Sequence, residues 1–203
     1  MSTNQVSDKL PLSYYHNVDV VWLAKDLLGK QIFTNFNDQL TSGIIIETEA
    51  YRSTGDRASH AYLNKRTKKN KMMYSDGGVA YVYLCYGIHA LFNIVTNREN
   101  IADAILVRAI EPIDGVEIMK KRSSKNKILK LASGPGKLSA SLGIDINSNG
   151  EQLTADTIWI QRNKDIQDYQ IASKKRIGIH YAGDDANFLW RFYIKGSKYI
   201  SKK

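Results

Sequence analysis

Residues 77–97 read Gly77-Gly78-Val79-Ala80-Tyr81-Val82-Tyr83-Leu84-Cys85-Tyr86-Gly87-Ile88-His89-Ala90-Leu91-Phe92-Asn93-Ile94-Val95-Thr96-Asn97, 21 positions without an Asp, Glu, Lys or Arg. The reading of this stretch decides the fold. Its length alone would allow a membrane-spanning helix. Its content argues otherwise, because Tyr81, Tyr83, Tyr86, Gly87, His89 and Asn93 would sit in mid-bilayer, where polar groups are costly. Val79–Leu84 is rich in β-formers, Ile88–Thr96 is a second apolar run, and Tyr86-Gly87 lies between them. The pattern predicts a β-hairpin with its turn near Tyr86. Strand alternation puts Tyr81 and Tyr83 on one face. Tyr86, at an exposed turn, has no packing reason to be there and is a candidate wedge or stacking platform for bases.

Working outward, Asp19–Leu28 predicts a short helix stopped by Gly29. Gln31–Phe36 and Leu40–Glu49 read as strands joined by a turn in Asn35–Asp38. Arg52–Lys71 reads as a basic loop with a short helix around Ala58–Tyr62. Beyond the hairpin, Ala104–Ile110 predicts a strand. Pro112 is expected to open a helix through Arg122, with a basic loop over Ser123–Lys130. Ser133-Gly134-Pro135-Gly136 punctuates before a helix over Lys137–Leu142, closed by Gly143. Thr157–Gln161, Arg176–His180 and Trp190–Ile194 are late strands, and residues 1–12 a loose tail. There is no repeat, low-complexity tract or linker. Clustered strands without alternating long helices predict a single α+β domain over residues 1–203.

Composition agrees. The chain has 203 residues, 43% apolar and 24% charged, which is ordinary globular usage and excludes disorder or collagen-like structure as the main state. Lys plus Arg number 29 and Asp plus Glu 20, a formal charge of +9, which points to polyanions, nucleic acid before an acidic membrane surface. The one cysteine, Cys85, permits no disulfide within the chain, and Met1–Asp8 carries no apolar run. A reducing, cytoplasmic location without membrane attachment is expected, at the nucleoid if the source is bacterial. His16, His60, His89 and His180 lie far apart with no CxxC or HExxH, so no metal site is expected.

Several features bear on chemistry. Lys65, Arg66, Lys68, Lys69 and Lys71 form one basic run; Lys120, Lys121, Arg122, Lys125, Lys127 and Lys130 form a second. Each alone reads as a solvated loop, but together with the net charge they favour phosphate contact. Ser133-Gly134-Pro135-Gly136-Lys137 could offer N–H groups and a lysine to a phosphate, although it lacks Walker A spacing. Glu47 and Glu49 end an apolar strand on one face, with Tyr51 at the next same-face position. A solvated strand end is the plain reading, general-base work the sharper one.

Taken in order, seven segments resemble the alkyladenine (3-methyladenine) DNA glycosylase family. They are Glu47-Thr48-Glu49-Ala50-Tyr51, Ala58-Ser59-His60-Ala61-Tyr62, Tyr81-Val82-Tyr83-Leu84-Cys85-Tyr86-Gly87, Asn93-Ile94-Val95, Leu106-Val107-Arg108-Ala109-Ile110-Glu111-Pro112, Ser133-Gly134-Pro135-Gly136-Lys137-Leu138 and Trp190-Arg191-Phe192-Tyr193-Ile194-Lys195-Gly196-Ser197. No single segment decides; the ordered set covers roughly residues 20 to 200. Departures are Asp76-Gly77-Gly78 where many relatives carry Pro-Gly, and Leu189 and Lys198 where relatives often carry proline. The first is expected to loosen the entry to the hairpin and to place an acid near DNA.

The resemblance implies a mostly antiparallel curved sheet with flanking helices and a protruding hairpin that enters the minor groove. It implies a monomeric, monofunctional hydrolase that removes 3-methyladenine, 7-methylguanine, hypoxanthine or ethenoadenine from double-stranded DNA, without cofactor, metal or strand cleavage. Glu49 would activate the attacking water, and Arg108 would help fix both. Tyr51 would stack on one face of the flipped base, with His60 and Tyr83 against the other. Asn93 would clash with the 2-amino group of guanine, and backbone near Ala58 would assist at N7. Tyr86 would fill the gap left by the flipped nucleotide. Among DNA contacts it would be joined by Arg66, Thr67, Gly134 and Lys137. Extrusion is required because a base inside a duplex is unreachable, and aromatic walls favour cationic lesions by ~0.5–2 kcal/mol per contact. An ordinary glutamate would be ionised at neutral pH. The alternatives are a non-catalytic minor-groove or damage-binding protein, and a hydrolase of free nucleosides or RNA.

Overall fold

The structure is a computed structural model that describes residues 8–123 and 125–202. Eight strands form one antiparallel curved sheet: β1 (Gln31–Phe36), β2 (Gln39–Tyr51), β3 (Ala80–Cys85), β4 (His89–Thr96), β5 (Asp103–Pro112), β6 (Ile158–Gln161), β7 (Ile171–Lys174) and β8 (Arg191–Ile194). The order is β3-β4-β5-β2-β1-β6, with β8 on β2 and β7 on β8. The helices are α1 (Leu12–Tyr15), α2 (Val20–Asp26), α3 (Val116–Ser123) and α4 (Pro135–Leu142). This is the expected single α+β domain.

Alternation along the strands separates two faces. Ala80, Val82, Phe92, Ile94, Ile105 and Val107 enter the main core with Leu23 of α2 and Leu27 just after it, Met119 of α3 and Leu138 and Leu142 of α4. Their neighbours Tyr81, Val95 and Ala104 turn the other way, toward Ala61, Met73 and Tyr74 from the long loop after β2. The helices therefore cover one face and irregular chain the other. The site lies on the irregular side.

Local chemistry explains the elements. Asp19 caps α2 by accepting from the N–H groups of Val21 and Trp22, both at 3.0 Å, and Gly29 turns the chain out at φ 84°. Asn37 and Asp38, both at positive φ, make the two-residue turn between β1 and β2. β3 and β4 pair from Ala80–Ile94 to Cys85–His89, with Tyr86 and Gly87 as the turn. The uncharged stretch is thus the expected hairpin. Among the described residues no helix is long and apolar enough to cross a membrane.

Some expectations change. Pro112 does not open a helix; it ends β5 opposite Gly43. The next residues stay extended because Ser42 and Asp114 bond through backbone and side chain, and α3 starts only after Gly115 turns at φ 67°. Arg176–His180 is not a strand; the pairing there belongs to β7, and 176–179 is irregular. Short 3-10 turns at Tyr62–Asn64, Lys71–Tyr74 and Ile128–Lys130 replace the single helix expected near Ala58–Tyr62 and part of the second basic loop. The entry to the hairpin is not loose. A Cβ on Gly77 would meet the carbonyl oxygens of Tyr15 and Asn97 at 2.6 and 2.7 Å, and Asp76 accepts from Glu99 N–H and bonds His16. Of the expected loose tail, residues 1–7 lie outside the described residues. Leu10 is buried and donates its N–H to Ile160.

Candidate active site

β2 and β5 build the site through two compensating irregularities. Ile45 faces Ile110, Glu47 faces Ala109 and Thr48 faces Val107, so Ile46 is extra on β2 and Arg108 extra on β5. Each bulge reverses the sense of alternation. Ile45 and Ile110 therefore enter the core, while Tyr51 and Arg108 reach the opposite face. Between these positions Thr48 bonds Ala24 of α2, which locks the register.

Glu49 is fully buried. Its Oε2 accepts from Arg108 Nη1 at 3.1 Å and from the Tyr51 hydroxyl at 2.9 Å, and its Oε1 accepts from the Ile177 N–H at 2.8 Å. Arg108 bridges two carboxylates, since its Nε donates to Glu47 at 3.1 Å. Burial pushes the Glu49 carboxyl above the ordinary glutamate range; Arg108, Ile177 and Tyr51 pull it down without cancelling that effect, and Glu47 adds to it. The expectation of an ordinary glutamate is thereby corrected: this one is harder to ionise.

In front of Glu49 lies a cavity of about 400 Å³, lined by Tyr51, Ala58, His60, Tyr83, Asn93 and Arg108 among others, with Tyr86 at its edge. Glu49 itself lies behind the lining residues that hold it. The His60 and Tyr83 rings meet edge to face at 4.7 Å. His60 Nδ1 pairs with the Tyr81 hydroxyl at 2.9 Å. Although His60 keeps an open edge, surrounding protein lowers its pKa, so the ring is neutral at physiological pH. Asn93 donates from Nδ2 to the carbonyls of Tyr81 and Leu91, at 3.1 and 3.2 Å, and cannot swing aside. Ala58 is at the wall, but its N–H donates to Asp56 and its carbonyl accepts from Tyr181.

The expected DNA-contacting residues divide. Tyr86 is 92% exposed at φ 52°, a left-handed conformation that bulky residues avoid. Thr67 lines a second, open groove of about 1060 Å³ with Lys65, Lys68 and Lys69, on the other side of His60 and Tyr83. Arg66 lies over the Tyr74 ring at 3.9 Å and bonds Asn100. Gly134 precedes α4, whose Pro135 touches the cavity, and Lys137 is exposed. The run Lys120–Lys130 lines neither the cavity nor the groove. Among the described residues no cluster of three or more His, Cys, Asp or Glu is arranged to hold a metal ion.

Sequence reasoning missed four participants. Arg176 is buried, forks onto Asp56 at 2.6 and 2.7 Å and lies 4.7 Å behind the Tyr51 ring. Ile177 supplies an N–H, Tyr181 joins both hollows, and Tyr81 orients His60. The available signal was Gly178, at φ 80° inside the run read as a strand.

A family model described as Methylpurine-DNA glycosylase matches residues 13–198, so the protein is a DNA glycosylase, a hydrolase of base-excision repair. Relatives with the provisional name 3-methyladenine DNA glycosylase agree over nearly full length. One from Chlamydia felis is 46% identical over 195 residues, covering 94% of this chain and 100% of its own. One from Clostridium perfringens strain SM101 is 40% identical over 199 residues, covering 93% and 97%. One from Bacillus licheniformis is 40% identical over 199 residues, covering 98% and 100%. The chain belongs to the methylpurine-DNA glycosylase family.

Proposed function

We propose that this protein, acting as a monomer, flips damaged purines out of duplex DNA and hydrolyses the bond between base and sugar. The carrying observation is Glu49, buried and held by three donors behind an aromatic cavity large enough for one purine. Water attacks the anomeric carbon, Glu49 takes its proton, and the bond electrons leave with the base, giving an abasic site and free base. The three donors leave one of the four lone-pair positions of the carboxylate open, on Oε1, which accepts the Ile177 N–H, and that position can take the proton.

The walls suit a cationic lesion. Tyr51 and Tyr83 offer π faces, and the neutral His60 adds no opposing charge. Tyr86 is suited to fill the vacated stack, and the basic groove to follow the phosphates. The Ala58 N–H is committed to Asp56, so help at N7 of a neutral base must come from other backbone.

The test is single-turnover base release from duplexes carrying 3-methyladenine, 7-methylguanine, hypoxanthine or ethenoadenine. Wild type is expected to release base. Glu49→Gln is expected to bind the same duplex and lose release by several orders of magnitude. Release by Glu49→Gln near the normal rate would remove the assigned role of Glu49. Tight binding with no release by wild type would establish the damage-binding alternative instead.

A further inference from the structure

Glu47 is as buried as Glu49 and has no part in the reaction above. Two of its four hydrogen bonds come from Ser201, beyond residue 198 where the family match stops, and the other two from Arg108 and Arg191. Oε1 accepts from Arg108 Nε at 3.1 Å, from Arg191 Nη1 at 3.1 Å and from the Ser201 hydroxyl at 2.9 Å. Oε2 accepts from the Ser201 N–H at 2.6 Å. The same hydroxyl accepts from Arg108 Nη2 at 3.3 Å, and the Lys202 carbonyl accepts from Arg191 at 2.9 Å.

We infer that Tyr199–Lys202 is a strap over the active-site charges and that Ser201 is a positioning residue, setting Arg108 through Glu47 so that Arg108 reaches Glu49. This rests on the reading of Glu49 as general base. A guanidinium beside a carboxylate prefers to fork onto both of its oxygens. Ser201 N–H occupies Oε2 of Glu47, while its hydroxyl donates to Oε1 and accepts from Arg108 Nη2, and this hold of the hydroxyl on Arg108 keeps the guanidinium from that fork. Arg108 is left with one contact to Glu47 through Nε, and its Nη1 remains for Glu49. Arg191 supplies the second cation that Glu47 would otherwise draw from Arg108. Without the strap, Arg108 is free to close onto Glu47, and Glu49 loses its nearest positive charge.

The other groups that act on Glu49 are Glu47 and Tyr51 from β2, Tyr83 from β3, and Arg176, Ile177 and Tyr181 from the segment after β7. None of the last four bonds the strap. A change made at Ser201 therefore reaches Glu49 by way of Glu47 and Arg108, both of which Ser201 bonds.

Three variants test this: Ser201→Ala, Ser201→Thr, and a chain ending at Lys198. Glu49 is titrated by carbon NMR of labelled glutamate carboxyls, with Glu49→Gln for assignment, and single-turnover release is followed against pH in parallel. Ser201→Ala is expected to raise the Glu49 midpoint by ~0.5 or more and to slow release at neutral pH by ~10-fold, with duplex affinity unchanged. The shortened chain should show a larger shift and Ser201→Thr none. A lower Tm with an unmoved midpoint and pH limb in Ser201→Ala would overturn the positioning role. If the shortened chain fails to fold, the Ala and Thr pair still decides. Absence of release by wild type would remove the glycosylase reading, while the NMR midpoint would still judge the strap.

Discussion

Glu49 must be both buried and ionised to accept a proton from water. Burial raises its pKa, and only the ionised form is a base. Release should therefore fall as pH drops through a limb placed above the ordinary glutamate value of ~4.3. Single-turnover rates between pH 4 and 9 give the limb directly, and a limb at or below the ordinary value would contradict the burial argument. The linkage has the opposite sign to that of a salt-bridged carboxylate. A group with raised folded pKa contributes stability below its unfolded pKa and loses it as pH rises through the folded value. Asn93 is a second residue-scale case. Its Nδ2 donates to two backbone carbonyls, so it forms a fixed edge of the cavity. Asn93→Ser should admit undamaged guanine, raising its release relative to hypoxanthine by roughly 10-fold. An unchanged ratio would remove Asn93 as the gate. Glu49 and Asn93 were both legible as residues, because short ordered segments carry their identity. The raised pKa was not, because desolvation is set by whatever the fold packs around the carboxyl, while the groups that oppose it, Arg108 and Ile177, come from far along the chain.

The hairpin carries the argument at the scale of the element. Its strands and turn were legible from an uncharged β-rich stretch with Tyr86-Gly87 at its centre. The backbone conformation at Tyr86 was not. A non-glycine residue in the left-handed region costs ~1–2 kcal/mol, and Asn is better tolerated there. Tyr86→Asn is accordingly expected to raise stability by ~1 kcal/mol in urea denaturation while slowing release from duplex much more than from single strands. Equal slowing on both substrates would show that Tyr86 does not act through the gap in the stack. The paired bulges of β2 and β5 were not legible at all. Alternation placed Glu47, Glu49 and Tyr51 on one face, as found, but gave no sign that Ile45 crosses to the other. Register is settled between strands, and a bulge is visible only when the partner is known.

For the whole molecule, charge is divided unevenly. Lys65, Lys68 and Lys69 line the open groove beside the hairpin, whereas the second basic run lies away from it. Counterion release predicts a slope of about −0.9 per phosphate neutralised. Lys68→Ala with Lys69→Ala should reduce the salt slope of duplex binding by ~2 and weaken lesion-bearing and undamaged duplex alike. The pair Lys125→Ala with Lys127→Ala should leave the slope nearly unchanged. Equal effects from the two pairs would mean that both runs contact DNA. The sequence offered no means of ranking the runs, because both are basic loops by composition and only the fold sets which one lines the open groove.

By itself, the sequence determined the α+β class, the hairpin with its turn near Tyr86 and a turn within Asn35–Asp38, and it singled out Glu49, Tyr51, His60, Tyr83, Asn93 and Arg108 as candidates. Each of these follows from local pattern or from short ordered segments. The tertiary structure alone decided what those residues feel. It brought Ile177 and Ser201 to a carboxylate pair more than a hundred residues away, and Arg176 against the Tyr51 ring. It also held residues 176–179 irregular so that an N–H could reach Glu49. Electrostatics and desolvation act through space rather than along the chain, so the chemistry of Glu49 is set where distant segments meet.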